Sequence, residues 1–268
     1  MRRRDVRLWC QILSAMLALS CMGDAIVWSD PMTTTAQPDG RLTVDARGRA
    51  LFVIDTSTSV TPVTSERICP GSVRAARQRD ATLVATWWSV RDDSSAVLLA
   101  AVSPDGGRTW NTPLRVDTVD VSRTGCQRPP PAIAASAGFV HIGYAMQGPE
   151  GTGVFYAHSM TLGSTYEPAV AVIYGERLTA VDVAADEGVV AVAYEEPSGK
   201  NPQIGLAISR DWGHIFGDRV RGSTGIGAAA MPQVAVRGRQ IAVSWLQRSR
   251  EANVSLPVTR IVRVGRLP

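Results

Sequence analysis

The octapeptide Ser103-Pro104-Asp105-Gly106-Gly107-Arg108-Thr109-Trp110 decides the fold, because two further copies follow it along the chain. Ser209-Arg210-Asp211-Trp212-Gly213-His214-Ile215-Phe216 has Ile and Phe in place of Thr and Trp. Ser159-Met160-Thr161-Leu162-Gly163-Ser164-Thr165-Tyr166 has Thr in place of Asp at the third position. A short pattern that recurs at intervals of about fifty residues indicates a fold built from repeated units.

Each copy follows an aromatic residue at a fixed distance. Trp88, Tyr144 and Tyr194 each lie 15 residues before the first Ser of a copy. Each ends an almost continuous apolar run, and a fourth run ends at Trp245. Such runs are typical of strands that are covered on both faces. We therefore expect strands at residues 83–88, 140–144, 189–194 and 241–245. With 24 Gly, 16 Pro and no long helical periodicity after the N-terminus, the chain is predicted to be all-β.

The octapeptide has a mechanical explanation that does not involve catalysis. The Asp at the third position can accept backbone N–H groups across a tight turn, and the Gly two residues later can adopt a positive φ. The final aromatic can fold back and fill the space beside the strands. Thr161 can do the same task as Asp through its hydroxyl group. We therefore interpret Asp105 and Asp211 as structural residues.

These octapeptides resemble the Asp-box, or BNR repeat, of the sialidase-like β-propellers. The resemblance covers residues 67–221 and implies units at about 67–116, 127–171 and 176–221, with a fourth unit lacking the box at about 226–266. Residues 41–55 resemble two further strands that could complete the last unit and close the ring. We expect a β-propeller of four to five four-stranded blades over residues 41–268. A partial ring encoded by a gene fragment is the alternative.

The N-terminus predicts export. Arg2, Arg3, Arg4 and Arg7 precede an apolar stretch at 8–22 and small residues at 23 and 25, which is typical of a signal peptide over residues 1–25. We expect a flexible linker at 26–40. The sequence before Cys21 also resembles a lipobox, so a lipid anchor at Cys21 is an open alternative. The protein is thus predicted to be secreted, periplasmic or associated with the cell envelope.

Charge argues against a nucleic-acid partner. Residues 1–25 hold four Arg and two Asp, so their removal lowers the net charge from +4 to +2. No basic run remains after that segment.

Two cysteines remain after the predicted signal peptide. Cys69 and Cys126 lie 19 and 18 residues before the aromatics of successive units, so we expect equivalent places on neighbouring blades. In an oxidising compartment the two are predicted to form a disulfide. Two free thiols are the alternative.

The family resemblance also implies a catalytic set, which consists of three arginines that hold a carboxylate, a Tyr–Glu pair and an acid/base Asp. Arg67-Ile68-Cys69-Pro70 resembles the family's Arg-Ile-Pro element with Cys69 inserted, so Arg67 is the candidate first arginine. The further candidates are Asp92 or Asp93 as the acid, Arg128 and Arg177 as the other arginines, and Tyr174 or Tyr194 with Glu195 or Glu196. The order of this Tyr–Glu pair along the chain differs from that of the family.

Other chemistries are not indicated. His141, His158 and His214 have no metal-like spacing, so we expect neither a metal site nor a cofactor. Three hypotheses follow. The leading one is an exported propeller that binds a glycan or protein on its loop face without catalysis. The others are an exo-sialidase or related glycoside hydrolase, and an envelope assembly or scaffolding factor.

Overall fold

The computed structural model describes residues 26–34, 40–54, 60–62, 64–65, 67–78, 81–225, 227–248 and 259–268. Within these residues all regular secondary structure is antiparallel strand. The described part of the chain contains no helix that is long and apolar enough to cross a membrane. The predicted signal peptide and Cys21 lie outside the described residues.

The strands group into four large sheets, which we call blades I to IV, and one hairpin. The N-terminal strands are β1 (Val27–Trp28), β2 (Met32–Thr34), β3 (Arg41–Val44) and β4 (Ala50–Val53). Blade I contains β5 (Arg74–Arg77), β6 (Leu83–Val90), β7 (Ala96–Ser103) and β8 (Leu114–Asp117). Blade II contains β9 (Ala132–Ser136), β10 (Phe139–Gly148), β11 (Gly151–Ser159) and β12 (Val170–Gly175). Blade III contains β13 (Val181–Asp186), β14 (Val189–Glu195), β15 (Ile204–Ser209) and β16 (Phe216–Arg221). Blade IV contains β17 (Ala229–Arg237), β18 (Gln240–Gln247) and β19 (Thr259–Arg266), together with β1 and β2.

The blades surround a central channel. The first strands of the four blades (β5, β9, β13 and β17) line this channel together with β3 of the hairpin. The turn between the second and third strands, at residues 91–95 in blade I, lies at the same end as the links between blades, and we call this the loop end. The three octapeptides lie at the opposite end, the box end. The β-propeller that the sequence predicts is confirmed, with four full blades.

The outer edge of blade IV is completed from the N-terminus. Val27 pairs with Arg266 and Thr34 pairs with Arg260, so β1 and β2 both run beside β19. The prediction of a flexible linker at 26–40 is therefore wrong for residues 27–34. This segment has no continuous apolar run and contains Pro31, which hides its strand character in the sequence. Its pairing satisfies the backbone groups that the edge of β19 presents.

Residues 41–54 form a separate hairpin and do not complete blade IV. Strands β3 and β4 pair only with each other, and Asp45 closes their turn by accepting N–H groups from Arg47 and Arg49. The apolar side of the hairpin packs against one face of blade IV, with Leu42 and Val44 buried. The hairpin is therefore a fifth, two-stranded element of the ring, whereas the sequence suggested that it could complete the fourth unit.

The core lies between successive blades. The predicted central strands are all present and extend slightly beyond the expected bounds, and β6 is buried almost throughout its length. Between blades I and II, Trp88 packs edge-on against Tyr144, with ring centroids 5.8 Å apart. Because each large sheet has apolar side chains on both faces, successive blades can bury these faces against one another.

The three octapeptides form the same turn. In each copy the first Ser accepts a hydrogen bond from the N–H of the Gly four residues later, at 2.7 to 2.9 Å. Gly107, Gly163 and Gly213 have φ values of 97°, 87° and 94°, a region that strains any residue with a side chain. The third residue accepts the N–H four positions later, whether it is Asp105, Thr161 or Asp211.

The last aromatic of each octapeptide occupies an equivalent place. Tyr166 packs into the core between blades I and II, and Phe216 packs into the core between blades II and III. Trp110 lies on the corresponding face of blade I, next to Val60. Each octapeptide therefore places its aromatic on the side of its blade that faces the preceding element.

Candidate functional site

The central channel is a concavity of about 590 Å³ that opens among the inner strands. Its described lining is rich in arginine and contains a single carboxylate, that of Asp182. The arginines are Arg41, Arg74, Arg77 and Arg260. Arg41 and Arg74 are the first residues of β3 and β5, which places them at the loop end of the channel.

Arg41 is held in place by blade III. Its Nη1 donates to Oδ1 of Asp182 at 3.0 Å, and its Nη2 donates to the carbonyl oxygen of Val183 at 3.1 Å. Nearly half of the Arg41 side chain, 48%, remains exposed, whereas only 6% of the Asp182 side chain does. The other carboxylate oxygen of Asp182 accepts the N–H of Val234 at 2.8 Å. Asp182 is thus fully engaged with protein donors, while Arg41 keeps an accessible face.

Arg74 lies on the neighbouring inner strand and is exposed at the loop end. Its Nη1 donates to the carbonyl oxygens of Gly71 and Val73, at 3.0 and 2.7 Å, so these bonds keep the guanidinium close to its own strand. The surrounding protein removes part of the hydration of Arg74 and thereby lowers its pKa. The positive charge of Arg41 lowers this pKa further, whereas the carboxylate of Asp182 acts in the opposite direction. Two guanidinium groups therefore act on the same space, which favours an anion there.

The hairpin is fixed to the ring next to this pair. Gln233 of β17 accepts the N–H of Leu42 at 2.8 Å and donates to the carbonyl oxygen of Gly40 at 3.1 Å. Deeper in the molecule, Arg260 donates to Ser244 at 3.0 Å and stacks over the ring of Phe52. These contacts position β3, and with it Arg41, relative to the other inner strands.

The three arginines that the sequence singled out do not line this channel. Arg128 is a structural residue, because its side chain is 0% exposed and forms an ion pair of 3.0 Å with the equally enclosed Asp120. It also stacks over Trp88, with 5.0 Å between its Cζ and the ring centroid, and donates to the carbonyl oxygen of Gly125. Arg128 therefore cannot hold the carboxylate of a ligand, and this part of the prediction is wrong.

The other two arginines lie on exposed loops. Arg177 donates to the carbonyl oxygens of Pro197 and Gly199, at 3.5 and 3.1 Å, and so links two segments of the loop end. Arg67 is exposed beside Ile68, which forms a bridge with Ser89 of β6. Neither is among the residues that line the channel.

The candidate acids serve the β6–β7 turn. Asp93 accepts hydrogen bonds from both the N–H and the hydroxyl of Ser95, at 3.0 and 2.6 Å. These bonds lower the pKa of Asp93, with smaller contributions from Arg91 and Arg123. A general acid needs a raised pKa, so this environment favours a turn-closing role for Asp93. Asp92 is exposed in the same turn.

Tyr174 pairs with a carboxylate that the sequence did not suggest, and a second Tyr–carboxylate pair, Tyr144 with Asp117, is buried. The hydroxyl of Tyr174 donates to Oε2 of Glu150 at 3.0 Å, and this bond raises the pKa of Tyr174. Tyr174 is 47% exposed on the outer strand of blade II, and neither residue lines the channel.

The candidate Glu195 lies at the end of β14. Burial raises the pKa of Glu195, and the positive charge of Arg177 opposes this effect.

The predicted disulfide is confirmed. Cys69 and Cys126 are bonded, with their Cα atoms 5.3 Å apart, and the bond joins blade I to the loop that leads into blade II. Cys69 is almost completely buried, and its N–H donates to the carbonyl oxygen of Trp88 at 2.8 Å. The equivalent positions in successive units explain why the two residues meet.

The histidines are not scattered, contrary to their spacing in the sequence. His141 and His158 face each other across β10 and β11, and His158 packs against His214 of the third octapeptide with 4.9 Å between ring centroids. Nδ1 of His141 hydrogen-bonds the hydroxyl of Tyr156 at 2.6 Å. Among the described residues, no group of three potential ligands could hold a metal ion. The histidines form a polar contact between blades II and III at the box end.

Comparison with known proteins supports the fold and nothing finer. No family model and no curated protein sequence matches the chain. A protein of unknown function from Dyadobacter fermentans has a similar structure, with a TM-score of 0.53, 13% identity, and coverage of 72% of this chain and 52% of its own. The NanB sialidase of Streptococcus pneumoniae gives a TM-score of 0.49 and 13% identity over 81% of this chain and 33% of its own. A xylan β-1,4-xylosidase from Bacillus halodurans gives a TM-score of 0.43 and 12% identity, with coverage of 80% of this chain and 45% of its own.

The chain spans about half or less of the length of these solved structures. The sialidase-like propeller fold that the octapeptides predict is confirmed. At these identities the likeness concerns the fold alone, and it assigns no activity to the chain.

Sequence reasoning missed Arg41 and Arg74. A usable signal was present, because both residues begin the first strand of a unit, and first strands face the axis of a propeller. Neither arginine belongs to a family motif, so a motif-based prediction of a catalytic set does not include them.

Proposed function

We propose that this protein is an exported propeller that binds an acidic group of a glycan or protein ligand at the loop end of its channel, without cleaving the ligand. The observation that carries the proposal is the pair of Arg41 and Arg74 at a channel in which Asp182, the one carboxylate of the described lining, is already engaged. Guanidinium groups match carboxylates in shape and charge, and a concave site strengthens their attraction for an anion.

Several features support binding over hydrolysis. The candidate acid Asp93 is held as a carboxylate by its own turn, and Arg128 is enclosed. The Tyr174–Glu150 pair joins the outer strand of blade II to the β10–β11 turn, apart from the channel. The groups that a hydrolytic mechanism would need to act on one bond are therefore distributed over separate elements.

Export rests on the predicted signal peptide, and the disulfide is consistent with an extracytoplasmic location. The binding surface would then face ligands outside the cytoplasm.

The test is a binding measurement with matched oligosaccharides. Calorimetry with a galacturonate tetramer and with neutral maltotetraose should show binding of the acidic sugar only. Arg41→Gln or Arg74→Gln should weaken binding about tenfold or more, because each removes a charge-assisted hydrogen bond. Arg108→Gln is the matched control, since it removes one exposed arginine at the box end. Equal binding of both sugars, or equal loss in the control, would contradict the proposal.

Hydrolysis is the second candidate, because Tyr174 and Glu150 do form a Tyr–carboxylate hydrogen bond. A fluorogenic sialoside tests it directly. Turnover that disappears in both Tyr174→Phe and Glu150→Gln would favour a glycosidase. Absence of turnover together with binding of acidic glycans would favour the binding module.

A further inference from the structure

A smaller pocket opens at the loop end of blade III, on the side where Arg219 contacts blade II. It has a volume of about 360 Å³ and lies against the ends of β14, β15 and β16. Its polar lining groups are Tyr194, Glu196, Gln203, Arg219 and Arg221. We call it the crevice. None of these side chains lines the central channel.

Tyr194 is the unusual residue of the crevice. Its relative exposure is 5%, and its ring occupies the space beside Gly205 of the neighbouring strand. A Cβ atom at position 205 would overlap the Tyr194 ring, so only glycine leaves room for it. Among the described residues the Tyr194 hydroxyl has no hydrogen-bond partner, although it reaches the crevice. Because a tyrosine hydroxyl can both donate and accept a hydrogen bond, this group is available to a ligand in the crevice.

The hydroxyl remains a donor at neutral pH. Burial raises the pKa of Tyr194, and the negative charge of Glu196 acts in the same direction, whereas Arg219 lowers it. The crevice therefore presents an O–H donor beside two guanidinium groups.

The two arginines are positioned by single contacts that leave other donors unused. Arg219 donates through Nη2 to the carbonyl oxygen of Val172 on blade II, at 3.2 Å. Arg221 donates through Nη2 to Oε1 of Gln203, at 2.6 Å. Gln203 is itself fixed, because it accepts from Ser223 and donates to the carbonyl oxygen of Gly227. Gln203 is thus a positioning residue for Arg221.

Glu196 adds a hydrogen-bond acceptor to the donors of the crevice. It is exposed at the edge of the crevice, and in the described structure its carboxylate accepts no hydrogen bond. A carboxylate is an acceptor for hydroxyl groups, whereas Tyr194 and the arginines are donors for an anion.

From this arrangement we infer that the crevice is a second binding site, which takes a hydroxylated carboxylic acid of the size of one acidic sugar unit. The donors of Tyr194, Arg219 and Arg221 receive its carboxylate, and Glu196 receives its hydroxyl groups. The volume suits a small ligand. This site is separate from the channel mouth and does not depend on Arg41 or Arg74.

The experiment uses D-glucuronate as the probe and ligand-observed NMR titration as the readout, with D-glucose and inorganic sulfate as comparisons. It is done on the full chain carrying Arg74→Gln, so that the channel mouth contributes little. Glucuronate should bind more tightly than both comparisons. Adding Tyr194→Phe should weaken binding about three- to tenfold, and adding Arg221→Gln about tenfold or more. Tyr194→Phe keeps the ring beside Gly205, and an unchanged thermal midpoint verifies that the pocket is intact.

Three results would overturn the inference. Glucose that binds as tightly as glucuronate would show that the arginines do not select a carboxylate. Sulfate that binds equally well would show that only charge is recognised. An unchanged affinity in both Tyr194→Phe and Arg221→Gln would place the ligand elsewhere. Because the titration uses the Arg74→Gln background, it reports on the crevice, whereas the calorimetry of Arg41→Gln and Arg74→Gln reports on the channel. Either proposal can therefore be contradicted while the other holds.

Discussion

The box end and the loop end of the ring are made by the same strands but follow different rules. At the box end one turn occurs three times, with the same hydrogen bond from Gly to Ser and the same aromatic placement. The described connections at the loop end differ from one another: one carries a disulfide and an enclosed ion pair, and another carries an exposed arginine. The comparison indicates that repeated residues specify the blade, while unrepeated residues decide what the ring can bind.

Removing the disulfide should have the largest effect, because it is the covalent link of the irregular end. We expect Cys69→Ser/Cys126→Ser to lower the free energy of unfolding by about 4 kcal/mol, the value of the chain-entropy model for a loop of this length. Urea unfolding measures this change, and reduction of the wild type should reproduce it. A loss below about 1 kcal/mol would show that the loop end is held without the bond.

Removing the enclosed Arg128 should cause the next largest loss of stability. Arg128→Met leaves the carboxylate of Asp120 buried without its partner, so we expect a loss of about 3 kcal/mol. Arg177→Gln is the control, because its arginine is exposed and should affect stability little. If the two variants unfold at the same urea concentration, Arg128 does not have the structural role assigned to it.

Acid should weaken the contact between blades II and III at the box end. Burial lowers the pKa of His141 to about 3, and the charge of His158 acts in the same direction. The unfolded histidine has a pKa near 6.5, so the unfolded chain takes up the proton first, and stability is lost as the pH falls from about 6.5 towards 3.

Between pH 7 and pH 5 the wild type should lose about 2 kcal/mol more than His141→Gln, as measured by urea unfolding at both values. Equal losses would mean that His141 is charged in the folded protein.

The octapeptides themselves should show a smaller, graded effect. Asp105→Ala and Thr161→Ala should each lower the thermal midpoint by a few degrees. The change should be larger for Asp105, because a carboxylate forms stronger hydrogen bonds than a hydroxyl.

The bonds to Thr109 lower the pKa of Asp105 to about 2, so its contribution is present above about pH 4 and is lost as the pH falls towards 2. Calorimetric scans at pH 7 and pH 2.5 measure both effects. A larger shift for Thr161→Ala at pH 7 would contradict this ranking.

The sequence predicted the repeated part of the molecule because the repeat is local. Asp105, Gly107 and Trp110 act within one turn, so their spacing carries the whole signal. The disulfide could also be predicted, since equivalent positions in successive units lie close together in a ring.

What the sequence could not show are contacts between distant segments. The pairing of residues 27–34 with β19 spans the whole chain, and Arg41 meets Asp182 only because the hairpin enters the ring after blade IV. His214 likewise approaches His158 only through the contact of two blades. Arg128 was misread because its burial depends on Trp88 and Asp120, neither of which is marked by a motif.

Two single substitutions separate binding from folding most directly: Arg74→Gln at the loop end and Asp105→Ala at the box end. The dissociation constant for a galacturonate tetramer and the thermal midpoint are measured for both proteins and for the wild type. We predict that Arg74→Gln weakens binding about tenfold or more and leaves the midpoint nearly unchanged, whereas Asp105→Ala lowers the midpoint and leaves the dissociation constant within about twofold. Wild-type affinity in Arg74→Gln, or a loss of binding in a folded Asp105→Ala protein, would contradict this division between the two ends.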